Sequence, residues 1–152
     1  MHVRAQIRAA VVEALSGSLE EVEEKVFNAR ALPIDQSKWP AVLVYTNQET
    51  RAESISSDEE GIRQHSRTVE VSIQIVSQID DGEPELIDGI AAAIEEKLTD
   101  TNLDLYSIVV DCEYATTETE QINSGETELH ITTLRFNADY YVKENDPQTA
   151  II

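Results

Sequence analysis

Apolar residues recur at every fourth position at the start of the chain: Val3, Ile7, Val11 and Leu15, with Ala5, Ala9, Ala10 and Ala14 between them. That spacing predicts a helix with one narrow buried stripe. Ser16-Gly17-Ser18 stops it, glycine being the usual residue just past a helix end. Leu19 to Glu24 is acidic and without period, and reads as turn. Lys25 to Ala29 reads as a short strand ended by Leu32-Pro33. Trp39-Pro40 introduces Ala41 to Thr46, whose unbroken apolar character predicts a strand covered on both faces. Residues 47–66 have no period and are rich in Ser, Glu, Asp and Arg. They read as a long loop, and loops of that length are functional or disordered.

Val69, Val71, Ile73 and Ile75 alternate with polar residues, the mark of a half-buried strand. Asp80-Asp81-Gly82-Glu83-Pro84 reads as a turn into a helix, with Pro84 at its first position and the acids where the helix dipole favours them. Leu86, Ile87, Ile90, Ala91, Ile94 and Leu98 would form its buried face. Tyr106, Ile108, Val110, Cys112 and Tyr114 alternate again as a strand. Thr116 to Thr127 reads as a polar turn around Asn123-Ser124-Gly125, and Leu129 to Val142 as a long strand. The apolar set of that strand changes parity between Ile131 and Leu134, which suggests a bulge or bend. Residues 143–152 read as a polar tail. The order α-β-β-loop-β-α-β-β predicts an α+β fold: two helices packed on a mostly antiparallel, mixed sheet of about five strands. With 152 residues, 41% of them hydrophobic, the expectation is one domain over 1–152 with its core in 3–142.

Charge sharpens this picture. The formal net charge is −19. Residues 1–67 hold 8 basic and 11 acidic side chains, a net −3, whereas 68–152 hold 3 and 19, a net −16. Such a balance argues against a protein that grips a phosphate backbone, and against one held on an anionic lipid surface. No apolar stretch approaches the ~20 residues that span a bilayer, and the N-terminus lacks a signal-peptide core. A soluble, intracellular protein is the expectation.

Candidate chemistry is sparse. His2, His65 and His130 have no metal-ligand spacing and read as exposed or incidental histidines. Cys112 is the single cysteine, placed on the apolar side of its strand, where it reads as a small buried residue. A Cys112–His130 pair is conceivable, but nothing marks a lowered thiol pKa. Asp80-Asp81-Gly82 lacks the alternating ligands of a calcium loop. No phosphate loop or nucleophile elbow occurs. No catalytic residue, metal or cofactor is therefore expected. Arg51, Arg63 and Arg67, interleaved with Glu49, Glu53, Asp58, Glu59 and Glu60, read either as a solvated mixed-charge loop or as the candidate site: a loop that docks on a protein partner and orders on binding.

The succession Val3-Arg4-Ala5-Gln6-Ile7-Arg8, Val26-Phe27-Asn28-Ala29-Arg30, Leu32-Pro33, Trp39-Pro40-Ala41-Val42-Leu43-Val44-Tyr45, Arg67-Thr68-Val69-Glu70-Val71, Ile87-Asp88-Gly89-Ile90-Ala91 and Leu134-Arg135-Phe136-Asn137-Ala138-Asp139-Tyr140-Tyr141 resembles the minor tail protein U family, the tail terminators of long-tailed bacteriophages. The resemblance runs over about residues 3–142. It implies a subunit of a six-membered ring that caps the tail tube and stops its polymerisation. The ring would meet the head's connector or completion protein, with DNA passing through its hole. It implies a virion protein assembled in the host cytoplasm, with no catalytic residue to carry over. Other readings of the residues are a different head–tail connector or neck protein, a small intracellular enzyme with an acid/base pair, and an adaptor unrelated to phage.

Overall fold

The computed structural model describes residues 1–28, 40–57, 59–78, 83–124 and 127–151. Helix α1 (Val3–Leu15) is followed by β1 (Val26–Asn28), β2 (Ala41–Ser57) and β3 (Arg63–Gln78). Then come α2 (Glu83–Leu98), a single 3-10 turn (Asp104–Ser107), β4 (Asp111–Ser124), β5 (Thr127–Lys143) and β6 (Asp146–Ile151). Among the described residues the strands form one sheet in the order β1-β2-β3-β5-β4, with β6 also on β5. Only β1–β2 is parallel. The α+β class and the order of elements agree with the sequence pattern.

The apolar stripes explain the layering. Val3, Ile7, Val11 and Leu15 of α1 and Ile87, Ile90, Ile94 and Leu98 of α2 are buried. They pack in one core with Val42, Val44, Val69, Val71, Ile73, Ile75, Leu134, Phe136, Ala138 and Tyr140 from one face of the sheet. Past α1, Gly17 takes a φ of +77°, a conformation that glycine adopts without a Cβ clash. The acidic turn is tied to the core by fully buried Leu19 and Val22.

Several expectations are corrected. Residues 47–66 are not a loop. β2 runs on to Ser57 and β3 begins at Arg63, so most of this stretch is a hairpin. Its period is hidden because the β2–β3 register shifts three times, between Thr46 and Glu49, Arg51 and Ser54, and Ser54 and Ser56, and each bulge resets which residues face inward. Thr116 to Ser124 is strand rather than turn, antiparallel to β5 with Ser124 opposite Thr127. Every residue of 113–122 is exposed, so no apolar alternation is there to be read. Tyr106 to Val110 precede the strand instead of starting it. Leu105 is buried and the Tyr106 hydroxyl donates to the Leu98 carbonyl at 2.5 Å, which holds that turn against α2. The tail 143–152 supplies β6, with Gln148 accepting at its carbonyl from Gln6 Nε2.

The parity change in β5 needs no bulge, because β3 pairs with β5 in unbroken register from Gln64–Lys143 to Gln78–Leu129. Leu129 and Ile131 are buried on the opposite face, in a second cluster with Ala41, Leu43 and Val76. The sheet is thus apolar on both sides at that end, as the continuous Ala41 to Val44 run implied. Asp80-Asp81-Gly82 and Gly125, which the sequence pattern places in turns, lie outside the described residues.

Candidate functional site

The first bulge of β2 builds the site. Val42 and Val44 face α1 and Thr46 accepts from Arg8 Nη1 at 2.7 Å, so even positions point to the helices. The register shift after Thr46 then brings Glu49 opposite Val69 and Arg51 opposite Arg67, on that same face. Helix α1 ends short of them. Its first turn is capped by His2, whose Nδ1 accepts the Arg4 backbone N–H at 3.2 Å. Beyond the start of α1, the sheet therefore presents charged side chains where apolar ones would otherwise need a cover.

Glu49 is the hub. Its Oε2 accepts from Arg4 Nη1 at 2.7 Å and lies 3.9 Å from Arg67 Nη1. Its other oxygen accepts from the hydroxyl of the fully buried Tyr140. Arg67 Nε in turn donates to His65 Nε2 at 3.1 Å. An acceptor Nε2 assigns the proton of neutral His65 to Nδ1. That Nδ1 is buried and has no partner among the described residues. Burial, and then the charges of Arg67 and Arg51, push the His65 pKa below its ordinary value. Around these groups lies an open hollow of about 330 Å³ lined by Glu49, Arg51, His65, Arg67 and Glu144. Arg63 reaches its rim through a 3.3 Å ion pair with Glu144.

All three arginines singled out in the sequence meet here, with different tasks. Arg67 is engaged by Glu49 and His65. Arg63 pairs with Glu144 while both stay about half exposed. Arg51 is exposed and has no ion pair among the described residues. Four arginines face two glutamates, a local net +2 in a chain of −19. The sequence pattern placed Glu49 only among the acids interleaved with the arginines and did not point to Tyr140 or His65, and His65 is not the exposed histidine expected, being 3% accessible. A signal was present: His65 shares the parity of Val69 and Val71 on β3. Converging guanidinium and imidazole N–H groups can receive an anionic oxygen.

Cys112 and His130 do not meet. Cys112 lies opposite Ala138, His130 opposite Gln121, far along the same ladder. The Cys112 thiol is pushed up to about 12 by burial, reinforced by Asp111 and Asp139, which leaves it unreactive at neutral pH. A second hollow of about 300 Å³ between α1 and the end of α2 is lined by Ala10, Glu13, Ala14, Ser18, Lys97, Asn102, Leu103 and Asp104. No group of three or more potential metal ligands occurs among the described residues.

The model of the phage minor tail protein U family matches residues 2–140, from the cap of α1 to Tyr140 in β5. The chain belongs to the phage minor tail protein U family. As a minor tail protein it is a structural component of a phage tail and of the virion, and not an enzyme. The match includes Arg4, Glu49, Arg51, His65, Arg67 and Tyr140. Among solved structures, the chain is similar to one from the virion of a native gene transfer agent particle, at 19% identity and a TM-score of 0.49, covering 91% of this chain and 90% of that one. No curated protein matches.

Proposed function

We propose that this minor tail protein is a tail terminator: a subunit of a ring, six-membered by the resemblance, that caps the completed tail tube. It stops further tube polymerisation and offers the head's completion protein a surface, at the head-proximal end of the tail. DNA passes through the hole without specific binding, and a net −16 over residues 68–152 suits a conduit that must not retain a polyanion. The protein works as one domain, assembled in the host cytoplasm. The observation that carries this reading is the match to the U family over residues 2–140. Arg51, Arg63 and Arg67 are its docking residues.

The test is tail assembly without and with the protein, viewed by negative stain. Tails made without it should be overlong and fail to join heads, and added protein should restore uniform length and sit at one end. Tubes of normal length in its absence overturn the proposal. Normal tubes that fail only to join heads would mark a neck protein instead.

A further inference from the structure

The positive hollow and the most acidic strand lie on opposite sides of one sheet. β4 is an edge strand, and β5 is its partner on one side only. Its register places Asp111, Glu113, Glu118 and Glu120 opposite Asp139, Asn137, Thr133 and Ile131. The shift between Tyr114 and Thr116 keeps all four acids on the face turned away from the helices, while Tyr114 stays on the other with Phe136. No cation occurs in β4. Of these four acids, Arg135 of β5 approaches Glu118 alone among the described residues, at 3.4 Å, and it lies 3.5 Å from Glu70 of β3. Asp111, Glu113 and Glu120 have no ion pair among the described residues. On the other side, the hollow offers Arg51, Arg67 and the unpartnered buried Nδ1 donor of His65. A buried donor without an acceptor costs free energy until an oxygen reaches it.

We propose that the hollow of Arg51, His65 and Arg67 receives strand β4 of a second copy of this chain, with a carboxylate of Glu113 or Glu120 closing on Arg51 and on the Nδ1–H of His65. Charge selects this pairing. Two β4 strands brought together would set four acids against four, whereas β4 against the hollow sets acids against a net positive cluster. The joint is therefore head to tail, and head-to-tail joints close into rings when the rotation permits. The inference rests on the proposed ring and names its contact.

Sedimentation velocity on two variants tests it. Arg51→Glu blocks the hollow, and Glu113→Lys combined with Glu120→Lys blocks the strand. All three positions are exposed, so each variant should fold. Each alone should self-associate at least tenfold more weakly than the wild type. An equimolar mixture should associate again, because it brings an intact hollow to an intact β4 and a reversed hollow to a reversed β4. Self-association of either variant at wild-type strength, a mixture that stays dissociated, or a wild type monomeric at millimolar concentration each overturns the inference. If Arg51→Glu assembles normally but no longer binds purified tail tubes, the hollow belongs to the tube protein and the inference falls while the terminator reading stands. The two readings separate the other way if the mixture behaves as expected and yet tail length is unaffected by the protein.

Discussion

Hairpin β2–β3 and hairpin β4–β5 have strands of similar length, and both carry polar, charged residues away from the core. They place charge in opposite ways. At the start of α1, β2–β3 turns its charges toward the helix layer, and Glu49 is held at once by Arg4, Arg67 and Tyr140. On β4 the acids point to solvent, and among the described residues only Glu118 has a nearby cation. Charge is an internal part in the first hairpin and an external field in the second. Removing one charge should therefore destabilise the first and leave the second unaffected.

The largest expected effect is at the hub. Glu49→Ala would leave Arg4, Arg67 and the Tyr140 hydroxyl without their shared acceptor in a site where the Glu49 side chain is 10% exposed. Breaking a buried, hydrogen-bonded charge cluster costs about 3 kcal/mol, and urea unfolding should show it. Glu120→Ala, by the same measurement, should leave the midpoint unchanged. Equal losses at both positions would erase the contrast between the hairpins.

Tyr140→Phe keeps the packing of the ring and removes one donor, so its cost should be smaller, about 1–2 kcal/mol. A double-mutant cycle with Glu49→Gln should show the two effects to be non-additive.

Acid should weaken the first hairpin through His65. Its pKa is lowered in the folded protein by burial, with Arg67, Arg51 and Arg63 adding and Glu144 opposing. The unfolded chain thus takes up the proton more readily. The stability that depends on neutral His65 is complete above its ordinary pKa of 6.5 and is lost as the pH falls below it. His2 shifts in the same direction, so the comparison that isolates His65 is wild type against His65→Gln. The variant's Tm should fall less steeply with acid. Parallel pH profiles would contradict the assignment.

The smallest effect concerns the field rather than a bond. Subunits of −19 repel one another at long range, and exposed charges are screened over about 10 Å at 0.1 M salt. Association should strengthen from low to moderate salt, because short, partly buried contacts are screened less than the general repulsion. Dissociation on adding salt from the lowest concentrations would mean that ion pairs between subunits outweigh it.

How much of this was legible in the sequence depended on burial of a single face. Helix α1 ends at Leu15 as its stripe predicts, and Val69, Val71, Ile73 and Ile75 of β3 alternate because one face meets the helices. β4 carried such a signal only at its start, in Cys112 and Tyr114, since residues 113–122 are exposed on both faces, and period two appears only where one face is dry. β2 lost its period to bulges, and β5 blurred it by burying Leu129 and Ile131 on one side and Leu134 and Phe136 on the other. At the site, the arginines were visible as a cluster because they lie within seventeen positions of one another. Glu49 was visible only as one acid beside them, and its convergence with His65 and Tyr140 was not, because the ladder from β2 through β3 to β5 brings them together. The buried parity of Tyr140, with a hydroxyl that needs a partner, and the parity His65 shares with Val69 and Val71 were the signs available.

β5 pairs with β3, β4 and β6, yet it lies late in the chain order. Glu49 and Tyr140 are 91 positions apart, and Gln6 and Gln148 are 142 apart. A stretch of chain that stops short of Tyr140 has an open edge on β3 and cannot close the Glu49 cluster. Topologies that wait for such distant partners fold slowly and expose strand edges in the interval. The same missing strand that leaves β3 open also leaves β4 without its platform. An incomplete subunit consequently cannot present both halves of the proposed joint.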